Sequence, residues 1–219
     1  MFVKLWMTSN VFTVNSSQPI TEVEQIMRAN RIRQVPVVDD GALVGLISRE
    51  DLFRAIPSIF DPSINPETLD QAGRFNAASV MTRSPLTVEP STPLEQAALL
   101  MRTHKVAALP VMQGGELAGI ITETNIFDAF LEILGAKKPG ARIELKIDHK
   151  PASFYTMLQL FKKCEMTILG ITVYPDFSED HQLVTLKVQG EKMDELIDAL
   201  WDSGLQINRI NTQEPPPAG

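Results

Sequence analysis

The chain has 219 residues, a formal net charge of −7 and a pI near 5.0. An acidic chain without a run of basic residues is unsuited to nucleic acid, because a phosphate backbone is recognised by clustered lysine and arginine. A single cysteine, Cys164, excludes an intramolecular disulfide bond, and no stretch of 18 consecutive apolar residues is present to span a membrane. Because the N-terminus also lacks the pattern of a signal peptide, these features predict a cytoplasmic protein.

One segment of the chain occurs twice. Residues 6–53 align without a gap on residues 80–127, so every matched position lies 74 residues further along the chain. Such constant register predicts two copies of one structural unit. Identical pairs include Met7 with Met81, Thr8 with Thr82, Val14 with Val88, Met27 with Met101, Pro36 with Pro110 and Gly45 with Gly119.

Each copy is predicted to contain a short leading strand, a helix, two strands and a second helix. In the first copy, apolar residues at helical spacing predict an amphipathic helix over 21–30. Residues 35–38 and 43–47 are apolar runs around the turn 39–41, which predicts a hairpin of two buried strands. Ser48 and Asp51 form a helix-capping pattern directly after it, so a sharp strand-to-helix turn is expected there. The second copy predicts a helix from Leu94 and strands at 109–112 and 117–121.

Different patterns follow each copy. Residues 57–79 contain several prolines and no sustained periodicity, which predicts a connecting segment with at most a short helix after Pro66. Residues 136–141 predict a linker. From 142 to 212 the pattern predicts strand, helix, strand, strand, helix, strand, an order typical of a ferredoxin-like fold, and residues 213–219 predict a disordered tail. The expected fold class is therefore α+β.

The repeated motifs resemble those of a tandem pair of cystathionine-β-synthase (CBS) domains, also called a Bateman module. They are Met-Thr at 7–8, Thr-Val at 13–14, Val-Pro-Val-Val-Asp at 35–39 and Gly-Leu-Ile-Ser-x-x-Asp at 45–51, and related residues stand at all of these positions in the second copy. The resemblance implies CBS domain 1 at 1–56, the connecting segment at 57–79 and CBS domain 2 at 80–135.

The resemblance implies two clefts that bind AMP, ADP, ATP or S-adenosylmethionine as regulatory ligands, with no catalytic cofactor. In the first cleft, Asp51 would hold ribose hydroxyls, while Ser48 and the backbone from Arg49 would face a phosphate. Arg33 would pair with phosphate, or would be an ordinary surface arginine. Thr13, Val35 and Pro36 would flank the adenine, and the equivalent positions of the second copy are Thr87, Ala107, Leu109, Pro110, Thr122 and Asn125.

The second copy departs from this pattern at two positions. Asn125 stands where the first copy has Asp51, and an amide accepts weaker hydrogen bonds than a carboxylate, which makes bonds roughly twice as strong. Glu123 stands where the first copy has Arg49 and would add negative charge beside a phosphate. The first cleft is therefore expected to bind more tightly. Capping of the helix alone would also explain Ser48 and Asp51 without any ligand.

The segment at 142–212 resembles an ACT domain in the order of its elements. A CBS pair followed by an ACT domain, without a catalytic domain, is similar to the acetoin-utilisation accessory proteins of bacteria. ACT domains that bind an amino acid usually have a glycine after the proline of the first strand-to-helix loop, whereas Ala152 follows Pro151 here. The resemblance implies dimerisation or amino-acid sensing, and Ala152 favours dimerisation through exposed edge strands.

No catalytic constellation is apparent. His104, His149, His181 and Cys164 fall in separate segments without the spacing of a metal site, and no glycine-rich phosphate loop is present. The sequence predicts a non-enzymatic regulatory homodimer that senses an adenosyl ligand, with a regulated enzyme as a candidate partner. The alternative is a constitutive oligomerisation scaffold whose clefts stay empty.

Overall fold

The computed structural model describes residues 1–55, 75–175 and 177–212. The predicted short helix after Pro66 and the predicted disordered tail lie outside the described residues, as does most of the segment 57–79. The chain divides into two compact units, Met1–Ile126 and Phe127–Gly219.

The first unit contains two copies of one set of elements, which confirms the structural repeat. After a short 3-10 helix at Val3–Leu5, the first copy consists of α1 (Ile20–Ala29), β1 (Gln34–Asp39), β2 (Ala42–Ser48) and α2 (Arg49–Ala55). Next come α3 (Ala77–Val80) and β3 (Thr82–Arg83), and then the second copy with α4 (Leu94–His104), β4 (Ala108–Gln113), β5 (Glu116–Thr122) and α5 (Glu123–Ile133). Only the first turn of α5, up to Ile126, belongs to the first unit, and the rest of this helix is assigned to the second. Each element of the second copy begins 74 residues after its counterpart in the first.

The first copy folds as its apolar pattern predicts. Helix α1 buries Ile20, Val23 and Met27 along one face, and burial of each such side chain stabilises the fold by about 1.5 to 3 kcal/mol. Strands β1 and β2 pair antiparallel across a tight turn in which Asp40 and Gly41 have φ of 49° and 82°. Two successive residues with positive φ give the hairpin turn whose twist matches that of the strands.

The leading segment of the first copy is tied to β1 by its backbone and by one carboxylate. The N–H of Val14 donates to the carbonyl of Pro36 at 3.1 Å, and the N–H of Val38 donates to the carbonyl of Val14 at 2.8 Å. The N–H of Ser16 donates to Oδ1 of Asp39 at 2.9 Å. This hydrogen bond lowers the pKa of the Asp39 carboxyl, because it stabilises the ionised form.

The two copies exchange their short Met-Thr segments. Strand β3, which belongs to the second copy, pairs with β2 of the first through Leu46 and Thr82. At the equivalent place in the other copy, Thr8 forms an antiparallel bridge with Ile120 in β5. The N–H groups of these two residues donate to each other's carbonyls at 2.9 and 3.0 Å. Each copy therefore completes the hairpin of the other.

Glycines at equivalent positions allow this close approach. A Cβ placed on Gly45 would lie 2.4 Å from Sδ of Met81, and one placed on Gly119 would lie 2.8 Å from the carbonyl oxygen of Thr8. Only a residue without a side chain fits either position without a shift of its neighbour.

The second unit contains β6 (Ala141–Asp148), α6 (Pro151–Lys163), β7 (Thr167–Tyr174), β8 (His181–Gln189), α7 (Met193–Asp202) and β9 (Gln206–Asn211). Its four strands form one antiparallel sheet in the order β7-β8-β6-β9. The predicted strand and helix order of this segment is thus confirmed.

The core of the second unit lies between one face of the sheet and the two helices. Ile143, Leu145 and Ile147 are buried on one face of β6. Trp201 is 62% exposed because it lies beyond the arc of α7 that Leu196 and Leu200 bury. Gly204 follows α7 in a left-handed conformation with φ of 77°. Helix and sheet side chains complete this core, among them Met157, Phe161, Cys164, Val184, Leu186 and Val188.

Candidate functional site

Both copies carry a reciprocal cap where the second strand passes into the second helix. The backbone N–H and the hydroxyl of Ser48 donate to Oδ2 of Asp51 at 2.9 and 2.7 Å, and the N–H of Asp51 donates to the Ser48 hydroxyl at 3.2 Å. Thr122 and Asn125 repeat this pattern at 2.9, 2.7 and 3.3 Å. The predicted capping box is therefore present in both copies.

The atoms that remain free of the cap differ between the copies. Asp51 retains Oδ1, which is paired with Nη1 of Arg54 only at 4.0 Å. Asn125 uses Oδ1 in the cap, because the backbone N–H of Thr122 requires an acceptor, and is left with its Nδ2 group. Asp51 thus offers a charged acceptor, and Asn125 offers a donor.

Asp51 opens onto a cleft of about 520 Å³, called here the Asp51 cleft. The side chain of Asp51 is 20% exposed and lines this cleft, while the protein shields most of its surface. The exchange of the Met-Thr segments means that both copies supply the walls. The lining residues are Gln34, Leu46, Ser48, Glu50, Asp51 and Arg54 from the first copy and Thr82, Ser84, Pro85, Leu86, His104, Lys105, Val106, Ala107 and Ala108 from the second.

Asn125 opens onto a smaller cleft of about 260 Å³, called here the Asn125 cleft. Every residue that lines it has its counterpart, 74 positions away, in the lining of the Asp51 cleft. The two clefts are therefore related by the repeat. The lining residues are Thr8, Asn10, Val11, Phe12, Arg31, Ile32, Arg33 and Gln34 from the first copy and Ile120, Thr122, Thr124 and Asn125 from the second.

The two clefts differ in the charges of their lining residues. Glu50 and Asp51 accompany Arg54 and Lys105 in the Asp51 cleft. In the Asn125 cleft, by contrast, the described lining includes two arginines and no acidic residue. Glu123, which was expected to place negative charge beside a phosphate in the second cleft, is not among the residues that line the Asn125 cleft.

A third cavity, of about 710 Å³, lies beside the Asn125 cleft and is called here the arginine cavity. It shares Arg31, Ile32 and Arg33 with that cleft. Arg49 lines this cavity rather than the Asp51 cleft, and its guanidinium lies 5.2 Å from the centre of the Phe53 ring. The remaining lining residues are Thr21, Glu24, Gln25, Met27, Arg28 and Leu52.

The structure thus brings together some of the residues predicted from the sequence and separates others. Ser48, Asp51 and Ala107 line the Asp51 cleft, and Arg33, Thr122 and Asn125 line the Asn125 cleft. The remaining predicted residues lie outside both linings: Val35, Pro36, Leu109 and Pro110 are buried in β1 and β4, and Thr13 and Thr87 are exposed in the leading segments.

Sequence reasoning missed most of the residues that each copy contributes to the cleft of the other. Arg33 and Ala107 were predicted, but with the cleft of their own copy, whereas Arg33 lines the Asn125 cleft and Ala107 lines the Asp51 cleft. His104, which the sequence offered only as one of three scattered histidines, ends α4 and lines the Asp51 cleft beside Lys105. The identical Met-Thr pairs in the two copies were the available signal, because the residues after Thr8 and Thr82 line the clefts.

The family model of the CBS domain matches residues 3–58 and 77–132, which is half of the chain. The chain belongs to the CBS-domain family. Proteins built on such a CBS pair typically regulate rather than catalyse. Within the described residues no group of histidine, cysteine, aspartate or glutamate could hold a metal ion, and no helix there is long and apolar enough to cross a bilayer.

Several solved CBS pairs align with this chain over nearly their whole length. CBSX2 of Arabidopsis thaliana, solved in complex with AMP, is 32% identical over 60% of this chain and 97% of that chain, with a TM-score of 0.51. The CBS pair of MJ0100, solved with 5′-methylthioadenosine and S-adenosyl-L-methionine, is 26% identical over 59% and 95%, with a TM-score of 0.50. A Vibrio cholerae protein described as an acetoin utilization protein (AcuB) is 27% identical over 63% and 96%, with a TM-score of 0.53.

Proposed function

We propose that this protein is a cytoplasmic, non-enzymatic regulator that binds AMP, ADP, ATP or S-adenosylmethionine in its CBS clefts. The observation that carries this proposal is Oδ1 of Asp51, which takes no part in the helix cap and has only the long ion pair with Arg54. It is a charged acceptor at the wall of a cleft of about 520 Å³, within the usual range of about 300 to 1,000 Å³ for small-molecule sites. The ligands of CBSX2 and MJ0100 support the choice of an adenosine compound.

The lining of the Asp51 cleft matches the parts of a nucleotide. Ribose hydroxyls would donate to Oδ1 of Asp51, and these charge-assisted bonds are the strong ones. Apolar side chains of Leu46, Pro85, Leu86 and Val106 offer a surface for the adenine. A phosphate would lie near Lys105 and Arg54.

We further propose that the second unit is an ACT-type domain that dimerises through β7. This strand lies at one edge of the sheet, runs for eight residues and contains no charged residue or proline. Ile171 and Val173 on it are each 39% exposed. An edge without such protective residues favours pairing with another strand, and a second copy of β7 would continue the sheet across a two-fold axis. We do not assign amino-acid sensing to this domain, since Ala152 follows Pro151.

The nucleotide proposal is tested by calorimetric titration and thermal unfolding with AMP, ADP, ATP and S-adenosylmethionine. A ligand at about 100 times its dissociation constant stabilises the folded state by about 2.7 kcal/mol. For a chain of this size that corresponds to a shift of roughly 5 to 10 °C. If none of the four compounds binds, the protein is the constitutive scaffold and the proposal is wrong.

A further inference from the structure

The Asn125 cleft and the arginine cavity together hold four arginines from the first copy. Arg31 and Arg33 line both spaces, and Arg28 and Arg49 line the cavity beyond them. The backbone fixes this grouping, because the N–H of Arg49 donates to the carbonyl of Arg33 at 2.8 Å. Among the described residues none of the four forms an ion pair with a carboxylate.

Four unpaired guanidinium groups at one surface repel each other, and this repulsion is relieved when an anion binds among them. Arginine is also the side chain best suited to phosphate, because its planar fork donates two parallel hydrogen bonds. Arg33 is already oriented by donating from Nη2 to Oγ1 of Thr124 at 3.3 Å, across the Asn125 cleft. Glu24 is the one acidic residue in the described lining of the cavity.

The second copy does not repeat this arrangement. The positions 74 residues after Arg28, Arg31, Arg33 and Arg49 hold Arg102, Lys105, Ala107 and Glu123. Two cations and one acid thus replace four cations. Glu50 also stands in the Asp51 cleft where Thr124 stands in the Asn125 cleft, which brings a further negative charge there.

We propose that the Asn125 cleft and the arginine cavity form one site for a nucleoside di- or triphosphate, whereas the Asp51 cleft takes an adenosine ligand with at most one phosphate. The nucleoside would occupy the Asn125 cleft of about 260 Å³, which shares Arg31, Ile32 and Arg33 with the arginine cavity of about 710 Å³, and the phosphates would extend into that cavity. The first phosphate would contact Arg31 and Arg33, and the phosphates beyond it would reach Arg28 and Arg49. This inference rests on the proposed function, since it assigns ligand classes to the two clefts.

The test is calorimetric titration of the full chain with AMP and with ATP, in buffer without Mg²⁺ so that the phosphates keep their charge. In the double variant Arg28→Ala/Arg49→Ala, we expect ATP to bind about tenfold more weakly and AMP to bind within about twofold of the wild type. Arg102→Ala is the matched control, because it removes an exposed arginine at the position equivalent to Arg28 and should change neither affinity. Thermal unfolding of the unliganded variants checks that they remain folded.

Three results would overturn the inference. The first is an equal loss of AMP and ATP affinity in the double variant, and the second is no loss of either. The third is an equal effect of Arg102→Ala on ATP, which would show general charge attraction rather than a site. In all three the wild type binds an adenosine ligand, so the proposed function survives. If the wild type binds neither AMP nor ATP, the proposed function fails as well.

Discussion

Asp51 and Asn125 make the same three hydrogen bonds in equivalent caps, but the side-chain atom left outside the cap is an acceptor in Asp51 and a donor in Asn125. The two residues therefore separate the structural role of this position from its role in binding. A variant that keeps the cap and changes only the remaining atom can test the second role alone.

Asp51→Asn is that variant. Asn125 shows that an amide oxygen satisfies the cap at 2.7 Å, so we expect the free energy of unfolding of the unliganded protein to change by no more than about 0.5 kcal/mol. Adenosine-ligand affinity at the Asp51 cleft should fall about tenfold or more, because hydrogen bonds to charged groups contribute about 1.5 to 3 kcal/mol. Calorimetric titration and chemical denaturation measure the two effects.

The reciprocal change, Asn125→Asp, is the control for this experiment. It places a carboxylate in a cap of the same geometry, so its stability should also be unchanged. Unaltered affinity in Asp51→Asn, together with normal stability, would remove Asp51 from the binding site and leave it a capping residue only.

The glycines at the exchange of the Met-Thr segments predict unequal costs for the same substitution. Gly119→Ala should destabilise the protein by about 1 to 3 kcal/mol, because the new methyl group meets the backbone oxygen of Thr8 at 2.8 Å. Gly45→Ala should cost no more than about 1 kcal/mol, because its nearest neighbour is the flexible Met81 side chain.

Denaturant unfolding measures both costs, and Met81→Ala provides a further check. Added to Gly45→Ala it should relieve the clash, so the double variant should be more stable than the sum of the two single changes implies. Equal costs for the two glycine variants would contradict the difference between backbone and side-chain neighbours.

The hydrogen bond from Ser16 to Asp39 predicts a dependence of stability on pH. The pKa of Asp39 is lowered in the folded protein, so the unfolded chain takes up the proton first as the pH falls. The resulting stability is fully present above the ordinary pKa of 3.8 and is lost as the pH falls through the lower folded value. Asp39→Asn, which can still accept from Ser16, should therefore lose less stability than the wild type between pH 5 and pH 2. Denaturation midpoints across this range measure the difference, and identical pH profiles would contradict it.

The proposed pairing of β7 predicts a dimer that one edge substitution disrupts. Val173→Lys places a charge on the exposed edge and should yield a monomer, because a lysine at an edge opposes strand pairing. Gln206→Lys adds the same charge to β9 at the opposite edge and should leave the dimer intact. Light scattering at micromolar concentration distinguishes the two outcomes. A monomeric wild type, or a dimer that persists in a chain lacking residues 140–219, would contradict the proposal.

The sequence predicted the local structure well because local signals determine it. The capping pairs, the hairpin turn at Asp40 and Gly41 and the alternation in β6 all depend on residues close together in the chain. The walls of the clefts could not be predicted in the same way. Thr82 pairs with Leu46, and Arg33 donates to Thr124, which lies 91 positions further along the chain. Aligning one copy on the other shows which positions are equivalent, but it does not show which residues of the two copies are in contact.

The exchange of the Met-Thr segments makes the CBS pair an internal pseudo-dimer, with Thr8 closing one half and Thr82 the other. If the two halves were identical chains of a symmetric dimer, any substitution in one cleft would also occur in the other. Joining the halves in a single gene removes that constraint. Arg33 can then stand in the cleft of Asn125 while Ala107 occupies the equivalent position in the cleft of Asp51, so that one cleft carries an excess of positive charge and the other balances its acids with its cations.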